Sequence, residues 1–360
     1  MTQKYTHTHT LEDLLRVTDT TAMNFGIEDV ASAVQADLDA HNAVLQDIVA
    51  DFAGVTTERE MASGGAVDGE MVEVDSRARS ATQGMGEPGS VAFPLRDHQF
   101  AVGFEADFLR RATPAQIAVR AQQAQKAHIN GLTRGIRNAI FSPADYVFRD
   151  RLVDRKELTI RALANGDGQP IITGPNGESF DPAAHTHYNA VAGVPTAVEV
   201  DNYLISEIAE HQNNNVIRIY INRGDLTTFE GVGSFKEYQR PGLVFYPGAD
   251  GIPQTTRDIT RTDNRAVGML GDAELWTKPW VPQGYALAVN VNAADKPLMM
   301  RNPTAVVGPV GLYLKGAITT FPLQAQYMHA AYGLGAYNRT AAAVLQFGKG
   351  STVYSAPTLG

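Results

Sequence analysis

The chain has 360 residues, 44% apolar and 19% charged, which suits a folded protein of one large or two modest domains rather than a disordered one. It has no cysteine, which excludes disulfides, thiolate metal sites and a cysteine nucleophile and fits synthesis in a reducing cytoplasm. The net charge of −9 is uneven: residues 1–60 hold 3 basic and 11 acidic side chains, residues 110–161 hold 11 basic and 4 acidic, so these regions have different electrostatic tasks or meet as complementary surfaces of neighbouring subunits.

The N-terminus has one lysine in its first ten residues and no apolar core, unlike a secretory signal. Residues 1–60 read as an extension. Within it Ile27, Val30, Val34, Leu38, Leu45, Ile48 and Phe52 recur at helical spacing, predicting one amphipathic helix over 27–52. Its other face is acidic, with Glu28, Asp29, Asp37, Asp39, Asp47 and Asp51. The apolar stripe needs a cover, either a neighbouring subunit or the chain's own core.

Residues 61–104 change character. Glu70–Ser80 and Ser90–Ala106 alternate at period two around the turn-forming Gln83–Gly89, predicting a long hairpin. A lone hairpin is marginal in water, so it should lie on another surface. Thr113 is then a good N-cap and Pro114 fits the first helical position of a helix over 113–140, which must stop before Ser142-Pro143. Ile117, Ala121, Ala124, Leu132, Ile136 and Ile140 share one side, and Arg120, Lys126, Arg134 and Arg137 lie on the opposite arc. Gly131 and Gly135 interrupt it and mark an expected bend, each costing ~1 kcal/mol relative to Ala.

Residues 144–195 read as loop-rich. A helix over 198–211 and strands over 215–222 and 285–292 follow, residues 224–280 mix short elements and turns, and residues 304–348 supply further strands. Ala341–Phe347 reads as a buried closing strand after Gly333-Leu-Gly335, where the backbone needs freedom or close approach. The longest apolar run, near 305–314, is broken by Gly and Pro and falls short of the roughly 20 residues a membrane span requires.

Trp280-Val-Pro-Gln-Gly-Tyr285, Lys296-Pro-Leu-Met-Met-Arg301, Gly311-Leu-Tyr-Leu and the segment 328–348, in that order behind a helical extension, a long hairpin and a long helix, resemble the major capsid proteins of tailed bacteriophages, of the Hong Kong 97 type. The resemblance covers nearly the whole chain and implies an α+β fold: an N-terminal arm (1–60), an E-loop hairpin (61–104), a peripheral domain (105–195 and 301–345) with its spine helix at 113–140, and an axial domain (196–300 and 346–360). It implies self-association into hexamers and pentamers of an icosahedral head around double-stranded DNA, assembly in the host cytoplasm, and no enzymatic activity, cofactor or membrane partner. A portal, a separate scaffolding protein and a decoration protein are the implied partners. An encapsulin-type shell enclosing proteins shares this architecture and is the alternative within the fold.

Few residues suggest chemistry. His185 and His187 alternate at strand spacing and point one way, with Asp181 the only close carboxylate; a hydrogen-bonded turn is the expectation, and a metal-dependent hydrolase on these three is the alternative from another class. His7 and His9 carry less weight still. Gly333-x-Gly335 lacks the third glycine of a dinucleotide loop, Arg223-Gly-Asp225 reads as a strand-exit turn, Asn165-Gly-Asp167-Gly168 lacks the later glutamate of a calcium loop, and the sequon Asn338-Arg-Thr340 falls where the chain should be buried. There is no Gly-x-Ser-x-Gly elbow and no phosphate loop. The residues left to weigh are Arg120, Lys126, Arg134 and Arg137, read as a solvated face or as salt bridges to a neighbour's acids, with contact to packaged DNA phosphates the sharper alternative, and Gly131 and Gly135 at the expected bend.

Overall fold

The helix expected at 113–140 forms as Pro114–Phe141 in a computed structural model of the chain, which describes residues 9–63, 89–101, 111–212, 215–238, 246–247, 253–254, 265–320 and 323–358. Its start is fixed locally. The Thr113 hydroxyl accepts from the Gln116 N–H, and the Gln116 side chain accepts from the Thr113 N–H, so two backbone donors are satisfied reciprocally. Ala118, Ala121, Ala124, Leu132, Ile136 and Ile140 are buried, as their spacing requires.

The helix packs on a five-stranded sheet whose axis is the long strand Leu323–Ala336. Tyr313–Thr320 and Arg96–Ala101 run antiparallel to its first part, and Leu298–Arg301 runs antiparallel to its end. Ala53–Thr56 then adds parallel to Leu298–Arg301. This strand, inside the expected N-terminal extension, was not legible in four residues of weak pattern.

The chain turns through Tyr337–Ala341 into Ala342–Gln346, a strand of a second, seven-stranded sheet. In order this sheet holds Tyr188–Ala190, Ala342–Gln346, Tyr285–Asn290, Ile217–Ile221, Ala273–Thr277, Arg265–Leu270 and Phe235–Glu237. Successive side chains point to opposite faces. Ala342, Val344, Leu287, Val289 and Tyr220 therefore join the core under the long helix, while Ala343, Leu345, Ala286, Ala288, Ile219 and Ile221 face a second core capped by Val200, Leu204 and Ile208. Burial on both faces is why the strand reads as a continuous apolar run.

Three expectations are refined. The amphipathic helix spans Ile27–Val49, and Val30, Val34, Leu38, Leu45 and Val49 enter the same core as the long helix, so its stripe is covered by the chain itself. The expected strand over 90–106 is two strands, Gly89–Ala92 and Arg96–Ala101, in different sheets. Residues 70–80 and 102–106 lie outside the described residues, and the described pairing at the hairpin's base is Glu60–Ser63 with Gly89–Ala92. The helix expected at 198–211 begins as Ala197–Val200, widens into a π-helical turn over Asp201–Ser206 and resumes at Glu207–Ala209.

Candidate functional site

Lys126 and Arg134 are exposed on the long helix, and Arg120 and Arg137 are half-buried. The helix carries no carboxylate along its 28 residues, so the only full charges on it are cationic, set among neutral Gln and Asn side chains. The acidic helix Ile27–Val49 lies beside it: Asp37 accepts from the Gln125 amide, and His41 Nε2 lies 3.3 Å from His128 Nδ1. Asn42 holds the backbone of Leu312 from both sides, donating to its carbonyl (2.9 Å) and accepting from its N–H (2.8 Å). Gly131 and Gly135 sit where the helix comes closest to the long strand. A Cβ there would fall 2.6 Å from Tyr332 Oη and 2.8 Å from Leu334 Cδ1. The glycines thus have a packing reason in this state of the molecule, independent of any bend.

The base of the hairpin is anchored by charge. The Arg301 guanidinium donates to Asp150 Oδ2 (2.9 Å) and to the Phe93 carbonyl (3.0 Å), and Arg59 Nε lies 3.4 Å from Asp150 Oδ2. Phe93-Pro-Leu95 crosses the long strand so closely that a Cβ on Gly333 would overlap the Pro94 carbonyl, and one on Gly335 would fall 3.0 Å from the Ala92 carbonyl. Both glycines serve close approach rather than a positive φ.

Arg339 is 7% exposed and acts as an internal clamp. It donates to the Ala162 carbonyl (2.7 Å), the Leu163 carbonyl (3.1 Å) and Asn165 Oδ1 (3.0 Å), and it pairs with Asp167 at 3.0 Å. Asp167 is held by Arg339 and Arg161, and in Asn338-Arg-Thr340 the arginine and threonine are buried while Asn338 is half-exposed. Arg223–Asp225 is a 3₁₀ turn leaving a strand, with Asp225 buried and accepting from the Gly284 N–H at 3.0 Å. His9 packs against Phe25, and His7 lies outside the described residues.

The structure brings His185 and His187 together, as their spacing predicts, and adds partners the sequence did not signal. His211, from the end of the helical run, places Nε2 at 2.9 Å from His185 Nε2 and 3.2 Å from His187 Nε2, and the latter two are 3.1 Å apart. Glu207 Oε1 and Glu210 Oε1 lie 3.5 and 3.8 Å from His185 Nε2. Asp181 is not among these groups: it accepts from the Ala183 N–H and organises its own turn. The hydrolase constellation of His185, His187 and Asp181 therefore does not assemble. Burial holds His187 well below the ordinary imidazole value and His211 at about 4, and it raises Glu207 to about 8, helped by the neighbouring Glu210 charge. The missed partners lie 20 to 24 residues from His187 in sequence, and a π-helical turn just before Glu207 changes the helical phase that spacing would assume.

The chain is similar to a solved chain from Mycobacterium phage Patience, with a TM-score of 0.61 and 18% identity over 98% of this chain and 95% of that one. This likeness shows a fold shared over nearly the whole of both chains, of mixed helix and sheet, in keeping with the α+β class that the sequence resemblance implied. Weaker likenesses join it to the holo-SrpI encapsulin complex of Synechococcus elongatus PCC 7942 (TM-score 0.45, 13% identity, 84% of this chain and 86% of that one) and to the capsid of an empty GTA particle (TM-score 0.43, 10% identity, 83% and 89%). At those scores they add nothing to the assignment. No protein-family model and no curated protein matches the chain.

Proposed function

We propose that the chain is the major capsid protein of a tailed bacteriophage, building the hexamers and pentamers of an icosahedral head around double-stranded DNA. The observation that carries this is the fold, shared from end to end with a phage chain. Three further features support it. Ser63 and Gly89 are directly paired, so the two ends of the segment expected to overlap a neighbour are held together at one point. No helix among the described residues is long and apolar enough to cross a membrane. The long helix presents a cationic arc without carboxylates, suited to non-specific contact with phosphates. Such a protein acts by association, with modest interfaces multiplied by closed symmetry, rather than by turnover.

On this reading the shell matures in the virion from a precursor assembled in the host cytoplasm. A separate scaffolding protein, a portal and a decoration protein are its partners, and Gly131 and Gly135 let the long helix change its bend as the shell expands. Electron microscopy of the protein expressed with its scaffolding protein tests the reading. Closed shells of hexamers and pentamers are expected; a stable monomer under every assembly condition would sink it. Shells that retain a host protein cargo and no nucleic acid in the phage context would favour the encapsulin-type alternative.

A further inference from the structure

The His185–His187–His211 cluster has no part in the shell reading, and its hydrogen-bond arithmetic does not close. A backbone carbonyl only accepts, so His187 Nδ1, 2.8 Å from the Ala342 carbonyl, must carry its ring's proton. The same holds for His211 Nδ1, which faces the Ile172 carbonyl at 3.4 Å. In the neutral rings both Nε2 atoms are then bare lone pairs, and they face each other at 3.2 Å. His185 has one Nε2 proton to offer and two acceptors waiting, at 2.9 and 3.1 Å. One contact between lone pairs remains whichever way that proton points. A cation at the centre removes the conflict.

The dimensions fit one. Nitrogens bound tetrahedrally to Zn²⁺ at 2.0–2.1 Å stand about 3.3–3.4 Å apart. The three Nε2 separations here, 2.9–3.2 Å, need only a few tenths of an ångström of outward movement. The two carbonyl partners supply the outer contacts that orient ligating imidazoles and direct their Nε2 lone pairs inward.

We propose that His185, His187 and His211 hold a divalent transition-metal ion of the Zn²⁺ class through their Nε2 atoms, with the Glu207 carboxylate as fourth ligand. Glu207 Oε1 is the carboxylate oxygen nearest to His185, at 3.5 Å against 3.8 Å for Glu210, which also lies 3.6 Å from His211 Nε2, and Glu207 Oε2 accepts from the Asn189 amide at 3.3 Å. Three imidazoles and a carboxylate complete a tetrahedron, so the site is closed and structural rather than hydrolytic. It ties three separate pieces together: the loop ending at His187, the C-terminal end of the helical run at His211, and, through the Ala342 carbonyl, the buried strand of the seven-stranded sheet.

The test is metal content and uptake by the full-length protein. After expression with added Zn²⁺ and removal of loosely held metal, plasma mass spectrometry should find about one zinc per chain. Equilibrium dialysis with Zn²⁺, and Co²⁺ titration read by the visible absorption of a four-coordinate ion, should saturate at the same ratio. His185→Gln and His211→Ala should abolish both signals. His185 is the most accessible of the three rings, so His185→Gln keeps the test meaningful if the His211 variant fails to fold. Glu207→Gln should weaken Zn²⁺ binding at least about tenfold, and unchanged binding would overturn Glu207 as a ligand. A wild-type chain that takes up no more Zn²⁺ or Co²⁺ than His185→Gln is a hydrogen-bonded histidine cluster only, and the proposal falls. Metal is counted per chain, so the outcome is independent of whether the chain builds shells.

Discussion

Asp150 shows how single residues hold this molecule. Its carboxylate is fully buried at the crossing of the hairpin base, the long strand's sheet and the hairpin Tyr146–Arg149/Glu157–Ile160, and Arg301 is 5% exposed beside it. Removing one member of a buried pair strands the other charge, at about 3–5 kcal/mol, whereas replacing both by apolar groups is often neutral. Arg301→Met leaves the buried Asp150 only the longer Arg59 contact at 3.4 Å, so it should destabilise the unassembled subunit by up to about 3–5 kcal/mol in urea unfolding, and Asp150→Leu/Arg301→Met, in which Arg59 keeps its Asp154 pair, should recover most of it. A double variant as weak as the single one would mean that packing, not charge, holds the crossing. His128 is the second case. It is buried among His41 of the acidic helix, His98 of the strand Arg96–Ala101 and the Tyr332 ring of the long strand, and burial first, then His41 and His98, hold it at about 4. Its value is about 6.5 in the unfolded chain, so between pH 6.5 and 4 the unfolded state binds the extra proton. The stabilisation is complete above pH 6.5 and declines as pH falls through that window, by about 2 kcal/mol at pH 5. Thermal unfolding at pH 7 and pH 5 measures this, and His128→Gln should flatten the slope; an unchanged slope in that variant would assign the loss to other groups.

At the scale of elements, the long helix and the long strand explain each other. Tyr332 is buried and stacked on His98 at a ring distance of 4.1 Å, so it has little room to yield. Gly131→Ala would gain ~1 kcal/mol of helix propensity and incur an overpacking cost of about 1–3 kcal/mol against Tyr332 Oη. The net expectation is a loss of about 1 kcal/mol. Gly135→Ala meets only Leu334 Cδ1, the end of a side chain that can turn, and should be near neutral. Thermal unfolding of the two variants separates them, and a stabilised Gly131→Ala protein would refute the packing account. The helix itself was readable from its sequence, because a capping box, a Pro at its start and an apolar stripe agree. The strand Ala342–Gln346 was readable as buried for the same reason of consistency. The strand Ala53–Thr56 was not, since its pairing partner Leu298–Arg301 lies some 245 residues away and supplies the register. The single strand read over 90–106 failed at Phe93-Pro-Leu95, where a crossing over Gly333 and Gly335 overrides period-two alternation.

For the whole molecule, charge reversal at Arg120, Lys126, Arg134 and Arg137 tests the cationic arc. On the proposed function, heads bearing these changes should assemble normally and package less DNA, measured as nucleic acid per particle. Normal packaging would return the arc to contact with a neighbouring subunit. By itself the sequence determined the start, length and apolar stripe of the long helix, the apolar stripe of the helix Ile27–Val49 and the burial of the closing strand Ala342–Gln346, all of which rest on local patterns that neighbouring residues encode. Only the tertiary structure decided what covers the acidic helix, what the paired glycines are for and which groups converge on His185 and His187. Those answers depend on contacts between segments tens to hundreds of residues apart, where a helical phase shift or a strand crossing of a few ångströms determines which side chains meet.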